Sequence, residues 1–404
     1  MPHDHLGQAA YRVVEELAVQ IGPRTAGSPG EARALAYVEN ELRKVCRDVR
    51  RMAVSGIPAQ LSMRLLLMVG MAMLAYCSYW LVEEPRAIVI YVLSSFALPK
   101  LIAAARRRAG TSGQPDSANV MGHLPAAHTT QAHLVLCAHL DTARASRLPG
   151  ELLPRLHGLW MRALMPVVFV LTGAAALRWL DMRFPFAPPG VWTVIRGCGV
   201  LFGGFSLAFQ LVYSWLARGE VYSPGANDNA SGVGVVMALA KLLRDAPCRY
   251  LDTHYVLFTA EENGMIGSEQ FVKATELPKS CTYVINLDMV GAGRELCYVR
   301  GSGLLPPRLT DRGLNTLLQQ AYPSIKAHYY FVGSSDFASF VARGFHATSV
   351  MTSGNARAEI VYHTDHDTID HVDVASLQTT AAAVEQAIRL LDSQLGERQT
   401  EGGT

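Results

Sequence analysis

Five short segments of this 404-residue chain carry residue types that bind metal: His139-Leu140-Asp141, Asp228-Asn229, Glu261-Glu262, Asp288 and His363. Together they supply two imidazoles, carboxylates able to bridge or terminate, and an adjacent glutamate pair. That set suits two zinc ions and one general base. Adjacent carboxylates repel each other, and one solution is for one to bind metal while its neighbour deprotonates a water.

Each segment also has a plainer reading. His139 and Asp141 could be capping residues after a strand. Ser223–Gly232 (SPGANDNASG) could be only a helix N-cap region, and Glu261-Glu262 a surface loop. Asp288 ends an apolar run, where a lone buried carboxylate is costly without a partner cation or hydrogen bonds. The stretch Tyr362–His371 is so rich in His and Asp that chemistry alone does not select a ligand within it.

The elements that must position these residues alternate in type. Apolar runs at His133–Ala138, His254–Thr259, Thr282–Leu287 and Thr348–Met351 predict strands. Helical spacing is seen over Gln8–Val19, Glu31–Val45, Gly232–Leu243, Ile266–Lys273, Leu309–Ala321 and Val374–Leu391. The fold class is therefore α/β, a mostly parallel mixed sheet flanked by helices, with chemistry at the carboxyl ends of the strands. His139, Glu261, Glu262 and Asp288 each follow a strand-like run.

Long apolar stretches interrupt this pattern. Leu65–Val82 and Gly197–Ala217 hold 18 and 21 residues without a charge. Ala87–Ala105 carries only Lys100, and Ala163–Leu177 lies between Arg162 and Arg178. These predict about four transmembrane helices in two hairpins, 61–108 and 150–218. The soluble remainder is then 1–60, 109–149 and 219–395, with a polar tail at 396–404. Arginines crowd the open end of the first hairpin, which places it in the cytoplasm with the soluble part. Removing 150–218 from the 89-residue interval between His139 and Asp228 leaves about 20 residues, short enough to join neighbouring loops. Expected partners are thus a lipid bilayer and a substrate. A net charge of +2, with no basic aromatic face, excludes nucleic acid. Seven cysteines without a CxxC pair read as free thiols, and the first residues lack a secretory signal pattern.

The joint pattern resembles the M28 family of zinc-dependent aminopeptidases. The matching pieces are IGPRTAGSPGEARALAYVENEL, HLD, SPGANDNASG, FTAEENGMIGSEQF, INLDMVG, GSSDFASF and YHTDHDTIDHVD, in family order. The resemblance implies the zinc aminopeptidase/phosphorylase-like fold, a peptide substrate and two zinc ions. Asp228 would bridge the ions. His139 and Asp288 would complete one, Glu262 and His363 the other. Glu261 would be the general base, and Asp141 would orient His139. The hairpins depart from the family pattern. Phe331-Val332-Gly333-Ser334 stands where some relatives place an oxyanion tyrosine, and Tyr329 and Tyr330 are shifted from it, so that donor is unassigned. A carboxypeptidase using Arg357 and a non-catalytic scaffold are the rival readings. Single-zinc glutaminyl cyclases share the fold, but a complete set of five ligands argues against them.

Overall fold

The computed structural model describes residues 5–57, 117–145, 152–216, 221–303, 307–330, 333–355 and 361–402. In chain order the first elements are helix α1 (Leu6–Glu15, continued by a wider turn to Ile21), α2 (Pro29–Arg43), and strands β1 (Asp48–Val54), β2 (Ser117–Leu124), β3 (Ala132–His139) and β4 (Arg144–Ala145). Then come α3 (Leu152–Arg183), α4 (Pro189–Leu216), β5 (Val221–Tyr222), α5 (Ser231–Asp245), β6 (Leu251–Phe258), α6 (Ile266–Ala274) and β7 (Thr282–Leu287). The remainder are β8 (Glu295–Ser302), β9 (Arg308–Leu309), α7 (Arg312–Ala321), β10 (Lys326–Tyr330), α8 (Phe337–Val341), β11 (His346–Ser353) and α9 (Val374–Gly402).

Among the described residues, nine strands form one sheet in the order β1-β2-β6-β3-β7-β11-β8-β10, with β9 on β8. Its centre, β6-β3-β7-β11, is parallel, and antiparallel pairs flank it. In β3 Leu134, Leu136 and Ala138 join the core on one face, and Val135 and Cys137 that on the other. This two-residue alternation, buried on both sides, is why β3 reads as an unbroken apolar run. Helices α1, α2, α5, α7 and α9 cover the first face. On the second, Phe271 of α6 and Phe340 of α8 pack against Phe258 with ring centroids 5.6 and 6.0 Å away. The antiparallel flanks make the sheet mixed, as expected.

Two helix ends differ from the sequence reading. α7 starts at Arg312, because the Asp311 side chain accepts the Leu314 N–H at 2.8 Å as an N-cap and Leu309 is drawn into β9. α9 continues through Gly402, into the stretch read as a polar tail. Gly396 does not break it, since the missing side chain makes room for the Tyr250 ring, 2.6 Å from where a Cβ would sit.

The chain divides into two units, Met1–Ile57, Thr111–Ala145 and Val221–Thr404 in one, Pro58–Gly110 and Ser146–Glu220 in the other. Within the second, α3 and α4 run antiparallel: Trp160 donates to Ser206 Oγ at 3.1 Å near one end, and Trp192 to Asp181 at 2.7 Å near the other. The Asp181 carboxylate also accepts the N–H groups of Phe186 and Ala187 at 2.8 Å, closing the turn. The expectation of about four inserted membrane helices is not carried at that detail. Among the described residues one helix, Pro189–Tyr213, is long and apolar enough to cross a membrane by length and composition. α3 is also long, but Arg155, Arg162 and Pro166 break up its apolar run. The spans expected at Leu65–Val82 and Ala87–Ala105 lie outside the described residues.

Candidate metal centre

Three neighbouring parallel strands deliver the site. His139 is the last residue of β3, Asp288 follows β7 directly, and Glu261 and Glu262 stand three and four residues past β6. Asp228 comes from the turn entering α5, and His363 from the segment before α9. Asp228 Oδ1 lies 3.1 Å from His139 Nε2, and its Oδ2 lies 3.2 Å from His363 Nε2. Asp288 Oδ1 is 3.6 Å from His139 Nε2, and Glu262 Oε2 is 3.2 Å from His363 Nε2. Two groups able to hold an ion result, His139/Asp228/Asp288 and Asp228/Glu262/His363, sharing Asp228. From the crowded stretch 362–371, the geometry selects His363.

The electrostatics fit divalent cations. Burial opposes charging His139, yet Asp141, Asp228 and Asp288 raise it well above the ordinary histidine range. Burial likewise opposes a charge on His363, but Glu262 and Asp228 raise it. Burial disfavours the Asp228 anion, and the two imidazoles still hold it below the usual carboxylate range. Burial pushes Glu261 well above that range, with Asp336, Glu262 and Asp288 adding to the rise and His139 opposing it. So many carboxylates in one enclosure require positive charge. Glu262 Oε1 and Asp288 Oδ1 are buried without a hydrogen-bond partner, as metal-ligating oxygens would be.

Asp141 is engaged in more ways than the pairing with His139 that was expected. The His139 ring donates from Nδ1 to the carbonyl oxygen of Asp141 at 3.1 Å, while the carboxylate is 3.7 Å away. That carboxylate also accepts the N–H groups of Glu261 and Glu262, each at 3.1 Å. It holds the glutamate pair, and its backbone holds the histidine.

Sequence reasoning missed Asp367. Its carboxylate accepts the N–H groups of Asn227 and Asp228 at 2.9 and 3.0 Å, and its carbonyl that of Ala226 at 3.0 Å. The only signal was its place in the Asp- and His-rich stretch. Backbone strain was not legible either. Among the described residues, the non-glycine residues with positive φ are Ala260, Met265, Met289 and His363, all within a few residues of a ligand or ligands themselves. Phe331, Val332 and Arg357 lie outside the described residues. Tyr330 is described, and its hydroxyl donates to Met351 Sδ at 3.1 Å.

Fold and site together define a mixed α/β protein with two candidate metal groups, joined by Asp228, near the carboxyl ends of its central parallel strands. Residues 213–388 match the family model described as Peptidase family M28. Aminopeptidase YwaD of Bacillus subtilis is 29% identical over 175 residues, 41% of this chain and 38% of that protein. The chain thus aligns with well under half of that relative's length. Among solved structures, a leucine aminopeptidase precursor from Bacteroides thetaiotaomicron superposes with a TM-score of 0.54 at 14% identity, covering 95% of this chain and 96% of the other. A glutaminyl cyclase from the same organism, bound to N-acetylhistamine, gives 0.54 at 14% identity, covering 95% and 97%. At such identity these likenesses establish the fold, which peptidases and cyclases share.

Proposed function

We propose that this protein is a two-zinc metallopeptidase that removes residues from the free N-terminus of peptides, with Glu261 as general base. The observation that carries the reading is the sharing of Asp228 between two complete three-residue groups, with Glu261 adjacent to the ligand Glu262. The match to the M28 model and the likeness to an aminopeptidase support the reaction class. His139 and Asp288 would hold one ion, Glu262 and His363 the other, and Asp228 both. Bound zinc supplies Lewis acidity, polarising the scissile carbonyl and lowering the pKa of the attacking water. Glu261 Oε takes the proton of that water and returns it to the leaving amine. Asp141 keeps the Glu261 backbone in place for both transfers. A cavity of about 240 Å³ is lined by Met289 and Tyr362, the neighbours of Asp288 and His363, with Met351 and Ala292 but also His328 and Asn355, and could receive a first side chain.

The test is mass-spectrometric tracking of a peptide pool with free and acetylated N-termini. Zinc-loaded protein should shorten only free N-termini. Glu261→Gln should keep its zinc while turnover falls by about 10²–10⁴-fold. Full turnover in the variant would remove Glu261 from its role. Loss from C-termini would favour a carboxypeptidase, and no cleavage by zinc-bound protein a scaffold.

We also propose that the α3–α4 pair lies in a lipid bilayer, with the metal unit on the cytoplasmic side. Pro189–Tyr213 has 25 residues, about 37 Å of helix against a hydrocarbon core of about 30 Å. Val194, Leu201 and Phe205 leave an apolar face exposed. Alkaline carbonate extraction of cell membranes should leave the protein in the pellet; release into the supernatant would end this reading.

A further inference from the structure

Arg24 lies in the loop between α1 and α2, is fully buried, and the metal groups do not use it. Among the described residues its guanidinium donates only to backbone carbonyls. Nε reaches Leu140 at 3.0 Å, between His139 and Asp141. Nη1 reaches Pro224 at 2.7 Å and Nη2 reaches Gly225 at 2.9 Å, both in the turn that leads to Asp228. Nη1 also bonds Leu17 and Gly22 at 2.8 and 3.0 Å. The Arg24 backbone is locked in turn: its N–H donates to Thr142 Oγ1 at 2.9 Å, and its carbonyl accepts from Thr142 N at 3.3 Å.

A buried cation on carbonyls costs desolvation, and burial pulls Arg24 down to about 10, with Asp367, Asp141 and Asp228 acting the other way. The arrangement is two-sided. Asp367 grips the ligand turn by the amides of residues 226–228, and Arg24 grips it by the carbonyls of residues 224 and 225. Gly225, at φ +62°, packs so closely that an added Cβ would sit 2.4 Å from Thr142 Cγ2, 2.5 Å from the Asp228 carbonyl and 3.1 Å from Arg24 Nη2.

We propose that Arg24 is a positioning residue for the metal centre, fixing the turn that carries the shared ligand Asp228 against the segment that carries His139. The inference rests on the two-zinc reading. Because Asp228 belongs to both groups, loosening its turn weakens both ions together, whereas losing a ligand of one group, as in Asp288→Asn, weakens one.

The experiment is a zinc competition titration against a chromophoric chelator, on detergent-solubilised full-length protein. Arg24→Lys keeps the charge but loses the planar fork. Both sites should weaken by about 10–100-fold, the range for groups that hold metal ligands in place. Leu391→Ala, on the core-facing side of α9, controls for lost stability and should leave both zinc affinities unchanged. Arg24→Gln, which is neutral and loses most of the donors, should weaken both sites as well and stands in if Arg24→Lys fails to fold. Wild-type affinity at both sites in a folded Arg24→Lys or Arg24→Gln overturns the inference, as does weakening of one site alone or equal weakening in Leu391→Ala. If the wild-type protein itself binds no zinc, the metal reading falls and this inference with it.

Discussion

At the scale of single residues, the candidate ligands were the most legible part of the chain, because His139, the Glu261-Glu262 pair and Asp288 follow apolar runs and Asp228 and His363 sit in distinctive polar turns. His139, Asp228, Glu262, Asp288 and His363 converge as their types suggested. What holds them was not legible. A buried arginine and a buried aspartate look like surface charges in a sequence, and only the fold reveals that Arg24 and Asp367 are enclosed. Asp141 illustrates the limit. Its pairing with His139 was expected, but its carboxylate also serves the amides of Glu261 and Glu262. Asp141→Asn turns an acceptor into a donor facing a backbone N–H. Turnover at saturating zinc should then fall by about 10–100-fold, measured as steady-state peptide hydrolysis. Unchanged turnover would show that the amide pair needs no such anchor.

At the scale of elements, the central strands were legible and the outer ones were not. β3, β6 and β7 are buried on both faces and read as continuous apolar runs. β1 is an edge strand with Arg50 and Arg51 exposed, and β10 begins with exposed Lys326 and Ala327, so neither shows a hydrophobic run. The sheet also lines up histidines on one face. His254 of β6 stacks on His123 of β2, centroids 4.8 Å apart, and its Nε2 is 3.3 Å from His133 Nδ1 of β3. Burial lowers His254 to about 4, with His123, His133 and Arg50 adding to the fall and Asp252 opposing it. A histidine depressed in the folded state takes up protons first in the unfolded state. Its effect is therefore a loss of stability as pH falls from about 6.5 towards 4, and none above. Urea midpoints measured from pH 7.5 to 4 should fall less steeply in His254→Asn than in the wild type. Parallel slopes would assign the acid sensitivity to other groups.

At the scale of the whole molecule, the order of segments was readable and the insertion was readable as an interruption. The interval between His139 and Asp228 is too long for a loop, and the structure fills it with α3 and α4. The membrane character of those helices was read from apolar content alone. Among the described residues that criterion is met by one helix, because charges and a proline cut the apolar run of α3. The insertion leaves and re-enters the metal unit through the β4–β5 ribbon, where Arg144 faces Tyr222 and Ala145 faces Val221. Closing a chain across such a neck carries an entropic penalty that grows only with the logarithm of length. Stretching a turn of about five residues to the span Ser146–Glu220 is roughly four doublings, or about 2.4 kcal/mol at about 0.6 kcal/mol each. That is less than the typical ~3–5 kcal/mol cost of truncating a buried phenylalanine. A two-residue ribbon thus lets a chain place an entire helical hairpin between His139 and Asp228, for less free energy than one aromatic ring contributes to the core.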